Sequence, residues 1–596
     1  MKNNSFANVF RTLKMILRYD KFVLLLYVWT YVIKSVSPFI SVYFSKYATE
    51  YLSAPSYSVL LFFIGIVAFL AVTYLIRIVT AFLNSVIDKR SSHLRHKFKL
   101  GVFSKCLRST YRHIIDKEFL EKKSLAANAC NADKPMALIT DFMSICSSLI
   151  IIAGMAYTLK SFSFVVAVAL AAVVLINFIT AYYTKKANYQ MDVFDSVHQM
   201  KTSYVRGIAN DFMFAKDIRI YGMENGISEK MDRYDREARE QLKKHYSSLF
   251  RKNTLIEITT FIFNIIVYLS LGYKFLVMKD MSLSEFVFML GAVTSAFGAL
   301  QSMINSVLTM NSDAVYVRDY FAFVDYDSEM CDKNTAETVN LGKIETIEFR
   351  NVSFKYPESD EWAVHNLNLR FDCGKAYMIV GKNGAGKSTL IKLLLRLYTD
   401  YEGDILINGA DIRTIGYQEY MKIVSVLFQD FNMLSMPVIE NLAPNEAEVD
   451  YGRIEKLIEA VGLSQKIASL EKGLDSWLYR MFDKKGVEFS GGEMQKLAVV
   501  RALYKDSSVA IFDEPTSALD IYAEQKVLEC ISNAREERIV LFTTHRLNMK
   551  NIASEIIVID QGTVAEKGTH EELLKNRGMY YELFTAQAAG YKAGGL

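Results

Sequence analysis

The sequence predicts two joined folds: an α-helical membrane domain with six transmembrane helices, then an α/β domain built around a P-loop. Three observations carry this. Uncharged stretches at 51–76, 142–159, 161–184, 258–273 and 286–312 crowd the first half, and a hydrocarbon core needs about 20 mostly apolar residues as helix. The second half alternates short apolar runs with charged helical segments, the pattern of a soluble α/β fold. Within it stands Gly381-x-x-x-x-Gly386-Lys387-Ser388, between a strand pattern and a helix pattern. The bulk figures, 51% apolar and net charge +4 over 596 residues, average across these unlike halves.

Residues 1–21 interleave apolar positions with Lys2, Arg11, Lys14 and Arg18, which argues against a signal peptide. Phe6, Val9, Phe10, Leu13, Ile16 and Leu17 share one helical face, so an interfacial helix is expected. So short a segment leaves no room for a peptidase domain, and the expectation is that no peptide is matured here before transport. A membrane domain over 22–310 follows, with spans near 22–45, 58–84, 137–159, 161–183, 254–277 and 283–309. The long loops 88–135 and 184–253 hold 12 and 14 Lys plus Arg, the short connections one or two each. That asymmetry puts the long loops and both termini in the cytoplasm of a multi-pass protein of the cytoplasmic membrane. Both loops are helical in pattern and read as extensions of the spans. Residues 311–344 read as a linker, 345–585 as the α/β domain and 586–596 as a tail.

Charges within spans are functional candidates. Lys34, Arg77, Asp141 and Glu257 qualify, and Lys34, ahead of Pro38, is the cavity candidate. Asn177, Asn264, Gln301 and Asn305 either line a polar pathway or bridge helices. Six cysteines show neither CxxC nor metal-ligand spacing, so free thiols are expected.

Ala376–Val380 reads as a buried strand and Ser388–Tyr398 as the helix after the P-loop. Gly381, Asn383, Gly384, Ala385 and Gly386 let backbone N–H groups converge on phosphate, helped by the helix dipole. Lys387 is expected on the β- and γ-phosphates, Ser388 on Mg²⁺ and Thr389 beside them. The strand Ser508–Phe512 ends in Asp513-Glu514, 126 residues after Lys387. Asp513 is assigned to the metal and Glu514 to the general base. A third strand, Ile539–Thr543, delivers His545 as a γ-phosphate sensor.

From about 345 to 585 the chain resembles the nucleotide-binding domain of an ATP-binding cassette (ABC) transporter. Family roles then fall on Tyr356, in Phe354-Lys355-Tyr356-Pro357, as the adenine-stacking aromatic, and on Gln429, in Phe428-Gln429-Asp430, as a Mg²⁺-sensing catalytic loop residue. Ser490, Gly491 and Gly492 are similar to the signature that completes a partner's ATP site in trans, and Asp520 to the dimer-interface loop. The family signature usually ends Gly-Gly-Gln; this one reads Phe489-Ser490-Gly491-Gly492-Glu493, placing a carboxylate near an anionic ligand or turned from it. Met481–Gly486 also departs from the exporter wording, with Asp483 as a substitute acid.

One chain supplies six spans and one ATPase domain, half of the family's minimum. The fused order resembles ABC exporters. Lys216 and Arg219, in Lys216-Asp217-Ile218-Arg219, look like an exporter coupling segment, and His113–Glu121 is its counterpart in the first loop. Both are expected to dock near Gln429. The resemblance implies an exporter-type half-transporter using ATP and Mg²⁺ and moving a hydrophobic or amphipathic peptide, lipid or drug-like substrate across the lipid bilayer. Its partner is a second half-transporter, with a homodimer favoured and a heterodimer as alternative; no nucleic acid is involved. An ATP-gated channel or regulator, or an importer on the same scaffold, remains the competing reading.

Overall fold

The computed structural model describes residues 5–156, 164–211, 214–327, 342–357, 359–444, 448–544 and 552–593. The chain divides near Ser328 into two compact units.

In the first unit α1 (Ser5–Tyr19) buries Val9, Thr12 and Ile16, while Phe10 and Leu17 of its expected apolar face stay exposed. Helices α2 (Lys21–Leu52) and α3 (Val59–Arg108) follow, then the shorter α4 (Lys117–Asn131). Next come α5 (Lys134–Ala156), α6 (Phe164–Asn210), α7 (Glu224–Tyr273) and α8 (Leu283–Val324). All but α1 and α4 are long and apolar enough to cross a membrane. Their starts are written locally: Asp20 caps α2 through the Phe22 N–H, Ser58 caps α3, and Ser282 with Glu285 forms a capping box on α8. The α2 helix runs unbroken through Pro38.

Helix α8 is the hub, packing against α2, α5 and α6. Small residues at Ala292, Ala296, Ala299 and Ala314 let neighbouring backbones approach. The helix continues to Val324 with Val317, Tyr320 and Phe323 fully buried, so residues 311–324 are helix rather than linker. An amphipathic face that keeps finding partners has no reason to stop at the membrane boundary. Likewise the expected tail is helical as far as Ala593.

Two of the intramembrane amides bridge helices. Asn177 of α6 donates to Gln301 of α8 at 3.0 Å and accepts from Thr259 of α7 at 2.9 Å. On α5, Lys134 pairs with buried Asp313 of α8 at 2.9 Å. Among the described residues Cys106, Cys130, Cys146, Cys373 and Cys530 are free thiols.

The second unit holds two sheets. Strands β1 (Thr346–Phe354), β2 (Val364–Asp372), β4 (Glu402–Ile407) and β5 (Ala410–Asp411) form an antiparallel sheet in the order β2-β1-β4-β5. The other runs β10-β9-β3-β8-β7-β6, from β3 (Ala376–Val380), β6 (Val424–Leu427), β7 (Val509–Asp513), β8 (Ile539–Thr543), β9 (Glu555–Asp560) and β10 (Thr563–Gly568). It is parallel except for the β9–β10 hairpin. Strands β3, β7 and β8 are buried at every position, which explains their unbroken apolar runs. The helix after the P-loop, α9 (Lys387–Leu394), is shorter than the expected Ser388–Tyr398. Arg396 turns left-handed (φ 53) and the Leu397 N–H bonds back to Lys392 O at 3.0 Å, a helix stop that no glycine announced.

Candidate functional site

Strand β3 aims the chain at the glycine-rich loop, and the loop's tightness comes from its neighbours. A Cβ on Gly381 would stand 2.2 Å from Ile559 O. Gly386 has φ 109, and a Cβ there would meet Ala363 O at 2.8 Å. Both positions therefore require glycine. The β9–β10 turn braces the loop, with Gly562 N–H donating to Ala385 O at 3.0 Å.

Lys387 heads α9 almost fully buried, and its Nζ donates to Gly381 O at 2.7 Å and Lys382 O at 3.0 Å. Burial lowers its pKa, and the carboxylates of Glu514 and Asp513 oppose that shift. Asp513 ends β7 and accepts from the Thr543 hydroxyl. Burial raises its pKa against that bond and against Lys387. Glu514 is left-handed (φ 51), anchored by its N–H to Thr543 Oγ1 at 3.1 Å. A non-glycine residue in that region costs on the order of 1 kcal/mol. The strained turn sets its carboxylate beside Gln429, whose Nε2 donates to Glu514 Oε2 at 3.1 Å.

These groups converge on one cleft of about 620 Å³. Asn383, Gly384, Ala385, Gly386, Lys387, Ser388 and Thr389 form one wall, and Gln429, Asp513 and Glu514 face them. Tyr356 and Ala363 close the end, with the Tyr356 hydroxyl 3.0 Å from Thr389 Oγ1. Gly381 lies behind, as acceptor for Lys387. The Ser388 hydroxyl, the Gln429 amide oxygen and the Asp513 carboxylate are hard oxygen donors, the set that suits Mg²⁺ when substrate phosphates and water complete the shell.

Ser490, Gly491 and Gly492 do not line this cleft. They open α10 (Gly491–Tyr504), with Ser490 as its N-cap. Glu493 turns back into a capping box: Ser490 N–H donates to its carboxylate at 2.8 Å, Glu493 N–H donates to Ser490 Oγ at 3.3 Å, and Lys466 lies 3.6 Å away. Burial pushes its pKa up, but the Ser490 bonds and Lys466 outweigh that and hold it below the usual carboxylate value. Asp520 caps α11 (Ile521–Asn533) by accepting from the Ala523 N–H at 2.9 Å. Asp483 holds a turn by accepting from the Lys485 N–H at 2.9 Å.

His545 lies outside the described residues. His113 sits in a short helix, Tyr111–Ile115, its ring 5.7 Å from that of Tyr326; Glu121 is on α4; Lys216 and Arg219 share the short helix Ala215–Ile220. Lys34 is exposed on α2, 4.9 Å from the Tyr31 ring centroid.

Sequence reasoning missed Gln495. Buried on α10, its amide donates to Glu514 O at 3.0 Å and Ser517 Oγ at 3.2 Å and accepts from Ala518 N–H at 2.9 Å. It thereby ties the helix carrying the signature to the turn carrying Glu514. A glutamine between Met494 and Leu497 on a buried helical face was the available signal. Ala363, which lines the cleft and whose carbonyl abuts Gly386, gave none.

Residues 364–517 match the family profile described as ABC transporter. The subtilin transport ATP-binding protein SpaT of Bacillus subtilis is 32% identical over 397 residues, 64% of this chain and 61% of that protein. The ATP-dependent lipid A-core flippase of Escherichia coli K12 is 33% identical over 302 residues, 50% of this chain and 51% of the flippase. The chain thus spans between about half and 61% of the length of these curated relatives. A solved bacterial Atm1-family ABC exporter with ATP bound superposes with a TM-score of 0.82 over 96% of this chain and 99% of that one, at 21% identity. By these matches residues 364–517 are an ABC transporter domain, and the chain as a whole, with its six long apolar helices ahead of that domain, has the fold of a bacterial ABC exporter.

Proposed function

We propose that the chain hydrolyses ATP in a dimer of half-transporters and uses the cycle to export a hydrophobic or amphipathic substrate. The observation that carries this is the single cleft uniting Lys387, Ser388, Asp513, Gln429 and Glu514 beneath a phosphate-binding loop. The loop N–H groups and Lys387 hold the phosphates, Tyr356 stacks on adenine, and Ser388, Gln429 and Asp513 hold Mg²⁺. A Mg²⁺ held by these residues would supply positive charge to offset that developing on the transferred phosphoryl group. Glu514 accepts a proton from water as it attacks the γ-phosphate, giving ADP and inorganic phosphate. The cleft has no signature residue in its wall, which supports completion by Ser490, Gly491 and Gly492 of a second copy.

Closure around ATP then moves the coupling segments at His113–Glu121 and Lys216–Arg219 and swings the helices between inward- and outward-open forms. Two long basic loops support an orientation with both termini in the cytoplasm. One relative is named for subtilin transport and the other for flipping lipid A-core, and a lipid is an amphipathic cargo.

The test uses the full chain in proteoliposomes. Glu514→Gln is expected to cut ATP turnover by about 100-fold or more while retaining ATP binding. Turnover at the wild-type rate rejects the assignment. ATP-dependent accumulation of a fluorescent lipid or amphipathic peptide inside inside-out vesicles supports export; exclusive loss from them rejects it.

A further inference from the structure

We propose that a basic cavity between α6 and α8 binds the phosphate of an anionic lipid where these helices leave the bilayer on the cytoplasmic side. The cavity measures about 310 Å³, and Lys185, Lys186, Tyr182 and Tyr189 of α6 line it with Asn311 and Arg318 of α8. No carboxylate lines it. Among the described residues neither lysine closes an ion pair, while Arg318 is steered by Asp319 at 2.8 Å. Behind the wall Asp313 is paired with Lys134 at 2.9 Å, and Asp141 lies within electrostatic reach of Lys185.

Position identifies the class of ligand. The uncharged stretches 161–184 and 286–312 end at this level, so the cavity stands where hydrocarbon gives way to headgroups. On α6 the positions 175, 178, 179, 182, 185, 186 and 189 recur at helical spacing and form one stripe. Its membrane end carries Leu175, Phe178 and Ile179, all exposed, and its outer end the two lysines. A stripe that is apolar for about two turns and then cationic matches one molecule: an acyl chain followed by a phosphate. The cavity is large enough for a headgroup, and the chains lie along the exposed stripe. Tyrosine hydroxyls and the Asn311 amide supply hydrogen bonds that a bare surface charge lacks.

The inference rests on the proposed membrane orientation but not on ATP turnover. The test titrates the nucleotide-free full chain in detergent with dioleoylphosphatidylglycerol and reads bound lipid by native mass spectrometry. Lys185→Gln/Lys186→Gln is expected to weaken binding on the order of tenfold, whereas Lys185→Arg/Lys186→Arg stays within about twofold. Phosphatidylcholine should bind equally weakly to all three chains. Equal binding of the acidic lipid to wild type and the glutamine variant overturns the proposal. So does saturation of the site by inorganic phosphate alone at the same concentrations, which would make it a site for a free anion. ATP turnover without added lipid is expected to be the same in wild type and the glutamine variant, since neither lysine touches the nucleotide cleft. Because the titration contains no nucleotide, an inactive Glu514 would leave its outcome unchanged, and the two readings fail separately.

Discussion

Glu493 stands where exporter signatures usually carry glutamine, directly after the Ser490, Gly491 and Gly492 proposed to complete a partner's site. The capping box settles where that charge goes: to Ser490 N–H and Lys466 within the same chain. Glutamic acid at N3 is favoured at a helix start for this reason, so the departure has a local structural use. It also predicts a pH dependence. Glu493 is held below its unfolded value, so its contribution to stability is present above the unfolded carboxylate pKa and is lost as pH falls through the folded one. Glu493→Gln keeps the cap geometry but cannot titrate. Thermal unfolding of the two proteins between about pH 3 and pH 7 should show a wild-type advantage that is steady near neutrality and shrinks only below about pH 4. A constant difference across that range would mean that the carboxylate does not act through the cap.

At the scale of elements, the P-loop is a packing solution between β3, the start of β2 and the β9–β10 turn. Gly381→Ala is expected to displace β3 from β9, because the new methyl would lie 2.2 Å from Ile559 O. Overpacking of this kind costs about 1–3 kcal/mol, and both the melting temperature and ATP affinity should fall; wild-type values for both would remove the argument. This explains what the sequence made legible. Gly381-x-x-x-x-Gly386-Lys387-Ser388, the apolar runs of β3, β7 and β8, and the six long apolar helices are local patterns, readable where they stand. Gln495, Ala363 and the lysines of α6 matter through partners far away in the chain, and a single sequence does not show which helices are neighbours. The Arg396 stop of α9 was illegible for another reason: a left-handed arginine has no compositional mark. Asn177 and Gln301 were visible as polar residues in spans, but only the packing of α6 against α8 made them a bridge.

At the scale of the whole molecule, the decisive feature is that the nucleotide cleft and the signature face different surroundings in one chain. A C2 dimer would pair each cleft with the other copy's signature, so each chain contributes half of two sites. Chains defective in different halves should then rescue each other. Lys387→Ala removes the phosphate contact, and Ser490→Arg fills the signature; homodimers of either lack any intact site. A mixed dimer combines both defects in one site and leaves the other wild type. With random pairing of equal amounts, half of the dimers are mixed, so about a quarter of all sites are intact. Co-expressing the two variants and measuring nucleotide occluded per chain should give roughly that fraction of the wild-type value. Occlusion no greater than in the separate variants would mean that each chain completes its own site. That outcome would reject the shared-site reading while leaving the cleft of Lys387, Asp513 and Glu514 in place.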